Sequence, residues 1–442
     1  MIRAASSSWG RRIITGKRVA AGTVIASFTA AAYYRPVPDN STDGNGPDRT
    51  SESFCSSHQI FPYLRDETPF LLSIARSLTL GVTTLAIRVL MNTYGSYEIE
   101  NDENYAKFLE IVLGGDGRSD QKQGLLTVAN HRSLFDDPGV ISCVLPLWVG
   151  LQPKYQRWGI CSQEYCFNDA VPSLAKGYIG AGQVLPICRG AGVNQKLLLD
   201  FARLLADGEW CHIFPEGGVW QEGQLGGRRT AAQETETSST SALVVPPAGK
   251  LKWGTGKLIA HANVRPRVIP FAHVGMENLL PIDYERNTTT LKKDLFGGEP
   301  LRVYIKFGKE IFFDDLIEEH EEEHGKLRTY NSTSGNVDGS VSGQTAIMRG
   351  HFHRNWDSTD AEKALYHKIT LRIEMQLEKL TEEVVLKRNL YTSNSNIIDD
   401  NVESAIDMND TSVLKAESRT SSNSHHEPRT ASLCRKITKE LN

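Results

Sequence analysis

Residues 124–139 read GLLTVANHRSLFDDPG, and the change of character inside this stretch decides how the chain is read. Gly124–Asn130 is a short apolar run, the pattern of a buried strand. His131 follows at once, and Asp136, Asp137 and Pro138 come five to seven residues later. On an ideal helix an i,i+5 pair stands about 140° apart. His131 and Asp136 therefore meet only if the chain turns between them. Asp137 and Pro138 suit the N-cap and first position of a following helix. Two readings stand side by side. One is a strand–turn–helix junction with a polar cap. The other is an imidazole oriented by a carboxylate, the arrangement a general base needs.

Further along, Gln183–Cys188, Trp210–Phe214, Arg267–His273 and Leu301–Phe307 are also strand-like. Asn194–Ala206 between them is helical, with an apolar stripe of Leu197, Leu198, Phe201, Leu204 and Leu205, and Gly208 stops it. Strands alternating with helices predict an α/β domain, a mostly parallel sheet flanked by helices.

The chain has 442 residues and a formal net charge of −4, which argues against a nucleic-acid partner. Several polar stretches leave room for one main domain, expected over 65–390. Flexible insertions are expected at 221–249 and 318–357, and a disordered tail over 391–442. Asp360–Leu390 returns to helix, with Leu365, Ile369, Ile373, Leu377, Leu380 and Val384 on one face. Seven cysteines stand at 55, 143, 161, 166, 188, 211 and 434 with no CxxC pair. They read as free thiols in a reducing or redox-neutral setting, with Cys161 and Cys166 as core thiols.

Residues 1–38 carry six basic residues and no acidic one, the composition of a mitochondrial transit peptide, and 39–64 reads as a linker. Phe70–Leu90 has the length of a membrane span but contains Arg76 and Arg88. It reads first as an interfacial, monotopic helix with Arg88 snorkelling from one end, second as a span, and third as a core helix. Val140–Trp158, with Trp148, Tyr155 and Trp158, fits interfacial aromatics or a core helix followed by a loop.

Three strands end in groups with chemistry: His131, Arg189-Gly190 and Glu216-Gly217. In open α/β sheets ligands sit outside the carboxyl ends of parallel strands. If these strands are neighbours, one crevice receives them all. There His131 suits proton abstraction, with Asp136 to fix its tautomer. Arg189 suits a phosphate and Glu216 a substrate hydroxyl, while Gly217 allows close backbone approach. His212, inside an apolar strand, reads as a core histidine. No GxSxG, GxGxxG, P-loop or HExxH motif is present.

The blocks His131-Arg-Ser-Leu-Phe-Asp136, Pro186-Ile-Cys-Arg189-Gly190, Phe214-Pro-Glu216-Gly217 and Val268-Ile-Pro270 resemble, in that order, the four motifs of the glycerolipid acyltransferases. Within that superfamily the chain is similar to the tafazzin family, through NHRSLFDDP at 130–138, PICRGAGVNQK at 186–196, GEWCHIFPEG at 208–217, KWGTGKLIA at 252–260 and HVGMENLLP at 273–281. The resemblance covers roughly residues 65–315 without the first insertion. Gly218 stands where the family carries Lys after PEG.

The resemblance implies a CoA-independent transacylase. Such an enzyme moves an acyl chain from a phospholipid to a lysophospholipid and remodels cardiolipin from monolysocardiolipin on a mitochondrial membrane facing the intermembrane space. It implies His131 as base, Asp136 as its orienter, and Arg189, Gly190, Glu216 and Gly217 as binding residues for the glycerophosphate. No cofactor or metal is implied. The rivals are an acyl-CoA-dependent lysophosphatidate acyltransferase and a non-catalytic membrane-binding protein.

Overall fold

The computed structural model describes residues 70–114, 123–168, 170–187, 189, 192–221, 251–283, 288–289, 301–329 and 358–406. The expected basic N-terminus, the linker, residues 222–249 and 330–357 of the insertions, Gly190 and the tail beyond 406 lie outside the described residues.

The described chain enters on α1 (Phe70–Tyr94), β1 (Gly95–Ile99) and α2 (Glu103–Val112). The strand expected before His131 is β2 (Leu125–Ala129), and the His131 loop leads into α3 (Asp136–Val144) and the single turn α4 (Leu147–Gly150). Then come β3 (Gly159–Ser162), α5 (Gln163–Cys166), α6 (Ser173–Ala181), β4 (Val184–Ile187), α7 (Lys196–Ala206) and β5 (Trp210–Ile213). After the first insertion follow α8 (Gly254–Ala260), β6 (Arg267–Val274), the antiparallel pair β7 (Ile282–Asp283) and β8 (Thr288–Thr289), β9 (Leu301–Phe307), α9 (Asp314–His324) and α10 (Asp360–Ile406).

The main sheet has the order β1-β9-β6-β2-β5. Every neighbouring pair is parallel except β6 and β9. The fold is α/β, with helices on both faces of a mostly parallel sheet. β2 shows why its sequence is apolar throughout: successive side chains point to opposite faces, and both faces are covered. Leu126 and Val128 pack with Phe201 of α7 and Ile369 of α10. Leu125 and Ala129 pack with Phe108 of α2 and Val144 of α3.

The strand that ends at Arg189 is not in this sheet. β4 pairs with β3 in a separate parallel pair, linked to β5 by a single bridge between Trp158 and Cys211. The expectation of one sheet carrying all three strand ends is corrected here. Sequence periodicity identifies a strand but not its neighbours.

α1 is long and apolar enough to cross a membrane by length and composition. Its inner face is core: Leu72 and Ala75 join one cluster, Ile87 and Met91 the other. The two arginines also point inward. Arg76 lies over the Trp158 ring at 4.9 Å. Arg88 donates to the carbonyls of Ser142 at 2.9 Å and Cys143 at 3.2 Å. Arg88 does not snorkel outward, because the protein itself supplies its acceptors. Phe70, Leu71 and Val89 remain exposed on the other face. In Val140–Trp158 the core-helix reading holds for Val140, Ile141, Val144 and Trp158, all buried, whereas Trp148 is exposed.

Four further expectations change. α9 (Asp314–His324) runs into the stretch expected as a flexible insertion and covers its residues 318–324; Ile317 and His320 are buried although the sequence there is acidic. α10 runs on to Ile406, past the expected end at Leu390. Once nucleated by a packed apolar face, helix propagates at little cost per residue. Cys161 and Cys166 are disulfide-bonded, with Cα atoms 6.2 Å apart; the short helix α5 brings them together, which spacing alone did not show. Asp137 has extended backbone, but its carboxylate pairs with Arg157 rather than capping α3.

Candidate active site

The loop after β2 does turn. The ring Nδ1 of His131 lies 3.0 Å from Asp136 Oδ2. That oxygen also accepts the backbone N–H groups of Arg132 at 2.7 Å and Ser133 at 2.8 Å. An acceptor carboxylate opposite Nδ1 places the ring proton there and leaves the lone pair on Nε2. Asp136 is fully buried, and the His131 side chain is 18% exposed. The imidazole therefore presents itself to solvent from an inaccessible carboxylate. Its other face stacks on Phe214, with ring centroids 4.1 Å apart and planes 12° apart.

Glu216 reaches the same loop: the backbone N–H of His131 donates to Glu216 Oε1 at 2.6 Å. Glu216 is buried, at 4% exposure. The turn after it needs Gly217, whose φ of +67° falls in the left-handed region. Arg189, although its strand belongs to the second sheet, comes to this turn. Its Nη2 donates to the Gly217 carbonyl at 2.6 Å, and its guanidinium lies 5.5 Å from the Tyr165 ring. Lys252 is exposed beside it. Its backbone N–H donates to the Pro215 carbonyl at 2.7 Å, and its stem lies against Gly217.

The chain then folds back over the His131 loop. Trp220 N–H donates to the His131 carbonyl at 2.8 Å, and Arg132 Nη2 donates to the Gln221 carbonyl at 2.6 Å. Gln221 binds the backbone of Leu280 and Ile282 through its side chain. It thus belongs to the site wall, not to the insertion. Arg132 also pairs with Glu277 at 3.3 Å, and Glu277 with Arg388 of α10 at 3.0 Å.

His212 is the core histidine expected from the sequence. Its Nδ1 lies 2.9 Å from the Thr127 hydroxyl, and burial pulls its pKa well below the usual value, so it is neutral. The sequence reading missed Phe214, Arg132 with Glu277, Trp220 and His273. All are contacts between distant segments, which no local spacing encodes. The group can take a proton at His131 Nε2 beside a turn carrying two cations. Among the described residues no cluster of His, Cys, Asp and Glu could hold a metal ion.

Residues 97–273, from β1 to the end of β6, match the family described as Acyltransferase. N-acylphosphatidylethanolamine synthase of Arabidopsis thaliana is 33% identical over 190 residues, covering 43% of this chain and 56% of that protein. Tafazzin of Drosophila melanogaster is 28% identical over 224 residues, covering 50% of each. Taffazin of Dictyostelium discoideum is 29% identical over 203 residues, covering 45% of this chain and 59% of the relative. The chain carries a tafazzin-like acyltransferase domain. The stretches matched thus span little more than half the length of these relatives. The matched residues 97–273 contain every site residue named above except Glu277, Leu280, Ile282 and Arg388.

Proposed function

We propose that the chain is a phospholipid transacylase. It moves an acyl chain from a phospholipid to the free hydroxyl of a lysophospholipid without CoA, with monolysocardiolipin as acceptor and cardiolipin as product. One observation carries the chemistry: His131 Nδ1 is held by buried Asp136 at 3.0 Å, which leaves Nε2 basic and accessible. Nε2 takes the acceptor hydroxyl proton as that oxygen attacks the donor ester carbonyl. The tetrahedral intermediate collapses, the C–O bond to the donor glycerol breaks, and the departing oxygen takes the proton back from the imidazolium. Arg189, with Lys252 beside it, binds the phosphate, and Glu216 holds the base loop. Gly190 and Gly217 let the backbone approach the glycerophosphate. The CoA-independent form follows the tafazzin resemblance. The substrates suit an enzyme on a membrane, the basic N-terminus suits a mitochondrial one, and the tafazzin resemblance implies that it faces the intermembrane space. The Cys161–Cys166 pair suits a compartment that permits disulfides.

The 33% identity to N-acylphosphatidylethanolamine synthase favours a second reading, in which the acceptor is the amine of phosphatidylethanolamine. One assay separates them. The purified protein is mixed with vesicles of phosphatidylcholine labelled in one acyl chain, together with monolysocardiolipin or phosphatidylethanolamine and no CoA. Label in cardiolipin supports the first reading, and label on the amine supports the second. Transfer only after acyl-CoA is added overturns both in favour of an acyl-CoA-dependent acyltransferase. No transfer from either donor supports a binding protein.

A further inference from the structure

β2 and β6 run side by side, with Ala129 opposite Phe271. Just past the end of that ladder, Asn130 and His273 are tied by three hydrogen bonds. Asn130 Nδ2 donates to the His273 carbonyl at 2.9 Å, and His273 N–H donates to Asn130 Oδ1 at 3.0 Å. The third joins His273 Nε2 to the Asn130 carbonyl at 2.9 Å. A carbonyl oxygen only accepts, so the His273 ring proton sits on Nε2. The same Nε2 is 3.5 Å from Asp136 Oδ2. This is the oxygen that receives His131 Nδ1. Asp136 Oδ1 is buried with no hydrogen-bond partner. Every restraint on the carboxylate therefore acts through one oxygen. A carboxylate held that way keeps its angle only if donors meet that oxygen from several sides.

We propose that His273 is a positioning residue for the His131–Asp136 pair. It closes the end of β6 onto Asn130, the residue before the base, and its Nε2–H, bound to the Asn130 carbonyl, is shared with Asp136 Oδ2 at 3.5 Å. Loss of that N–H leaves the carboxylate held only by His131 and the backbone N–H groups of Arg132 and Ser133, and loosens its angle and that of the His131 ring. His273 is fully buried, so it does not touch substrate. The kinetic half of this inference rests on the acyl-transfer reading; the structural half does not.

The amide nitrogen of Gln reaches about as far as Nε2 of His, and that of Asn falls short. His273→Gln therefore keeps the donor and His273→Asn loses it, while both stay polar. In the lipid-transfer assay His273→Asn is expected to lower kcat about 10–100-fold with KM within about twofold, as for a misplaced catalytic group. His273→Gln is expected to stay within about threefold of wild type. Equal kcat in all three proteins, or equal loss in both variants, overturns the assignment. A second readout is independent of any lipid turnover: the ring-nitrogen NMR signals of His131 in the folded, nitrogen-15-labelled protein. The Nδ1–H tautomer is expected to dominate in wild type and His273→Gln and to give way to a mixture in His273→Asn. An unchanged tautomer in His273→Asn overturns the proposal even if no acyl transfer is ever seen.

Discussion

The backbone N–H of His131 donates to the buried side chain of Glu216 at 2.6 Å, which makes two sequence motifs 85 residues apart a single hydrogen-bonded unit. Glu216→Ala is expected to lower kcat about 10–100-fold, because the base loses its backbone anchor. Leaving that N–H unmet in a part-buried loop costs about 1–3 kcal/mol of stability. Glu216→Gln keeps an acceptor and is expected to retain most of both. Steady-state kinetics and denaturant unfolding check this. A change confined to KM would assign Glu216 to substrate binding alone.

The two faces of α1 separate membrane binding from folding. Leu71 and Val89 are exposed, at 53% and 57%, while Leu72 and Met91 are core. Leu71→Ser with Val89→Ser is expected to weaken vesicle binding several-fold and leave the unfolding midpoint unchanged. Leu72→Ala is expected to cost about 2–5 kcal/mol of stability. Co-sedimentation with vesicles and chemical unfolding distinguish the two. Unchanged co-sedimentation of the surface variant would place membrane contact elsewhere, with exposed Trp148 as the next candidate.

Thiol labelling tests the cysteine assignments. Burial pushes the Cys143 thiol up to about 11 and that of Cys211 well above its usual value. Both are expected to resist a maleimide at pH 7 until the protein is denatured. Cys161 and Cys166 are expected to stay unlabelled in denaturant until a reductant is added. Mass spectrometry of the labelled peptides reads all four. Labelling of Cys161 without reductant would restore the free-thiol reading.

Glu100 ties the end of β1 to β9 and α10. Burial raises its pKa, but hydrogen bonds from Tyr304, Lys306 and Lys387 outweigh that and hold it at about 2. A carboxylate depressed in the folded state stabilises the fold above its unfolded pKa, and the contribution fades as pH falls through the folded value. Glu100→Gln is therefore expected to be less stable than wild type at pH 7, with the difference shrinking between about pH 4.5 and 2. A difference independent of pH would remove the ion pairs as its cause.

Much of the fold was legible because its strands are buried on both faces. Leu125–Ala129 and Arg267–Val274 are apolar runs that length and flanking residues mark as strands. The stripe of α10 from Leu365 to Val384 was legible for the same reason, since helical periodicity and burial coincide there. What sequence could not give was pairing. Nothing local says that β4 leaves the main sheet, that Arg88 turns inward, or that Cys161 finds Cys166. The site divides in the same way. The i,i+5 spacing of His131 and Asp136 required a turn, and the turn is present. The partners that hold it, Glu216 from one strand end and His273 from another, are visible only once the strands are assembled.

The most direct test of the central claim is acyl transfer from labelled phosphatidylcholine to monolysocardiolipin without CoA, measured for wild type and His131→Ala in parallel. Wild type is expected to label cardiolipin, and His131→Ala to do so at least about 100-fold more slowly with its thermal unfolding unchanged. Equal rates in the two proteins would contradict the assignment of His131 as the base.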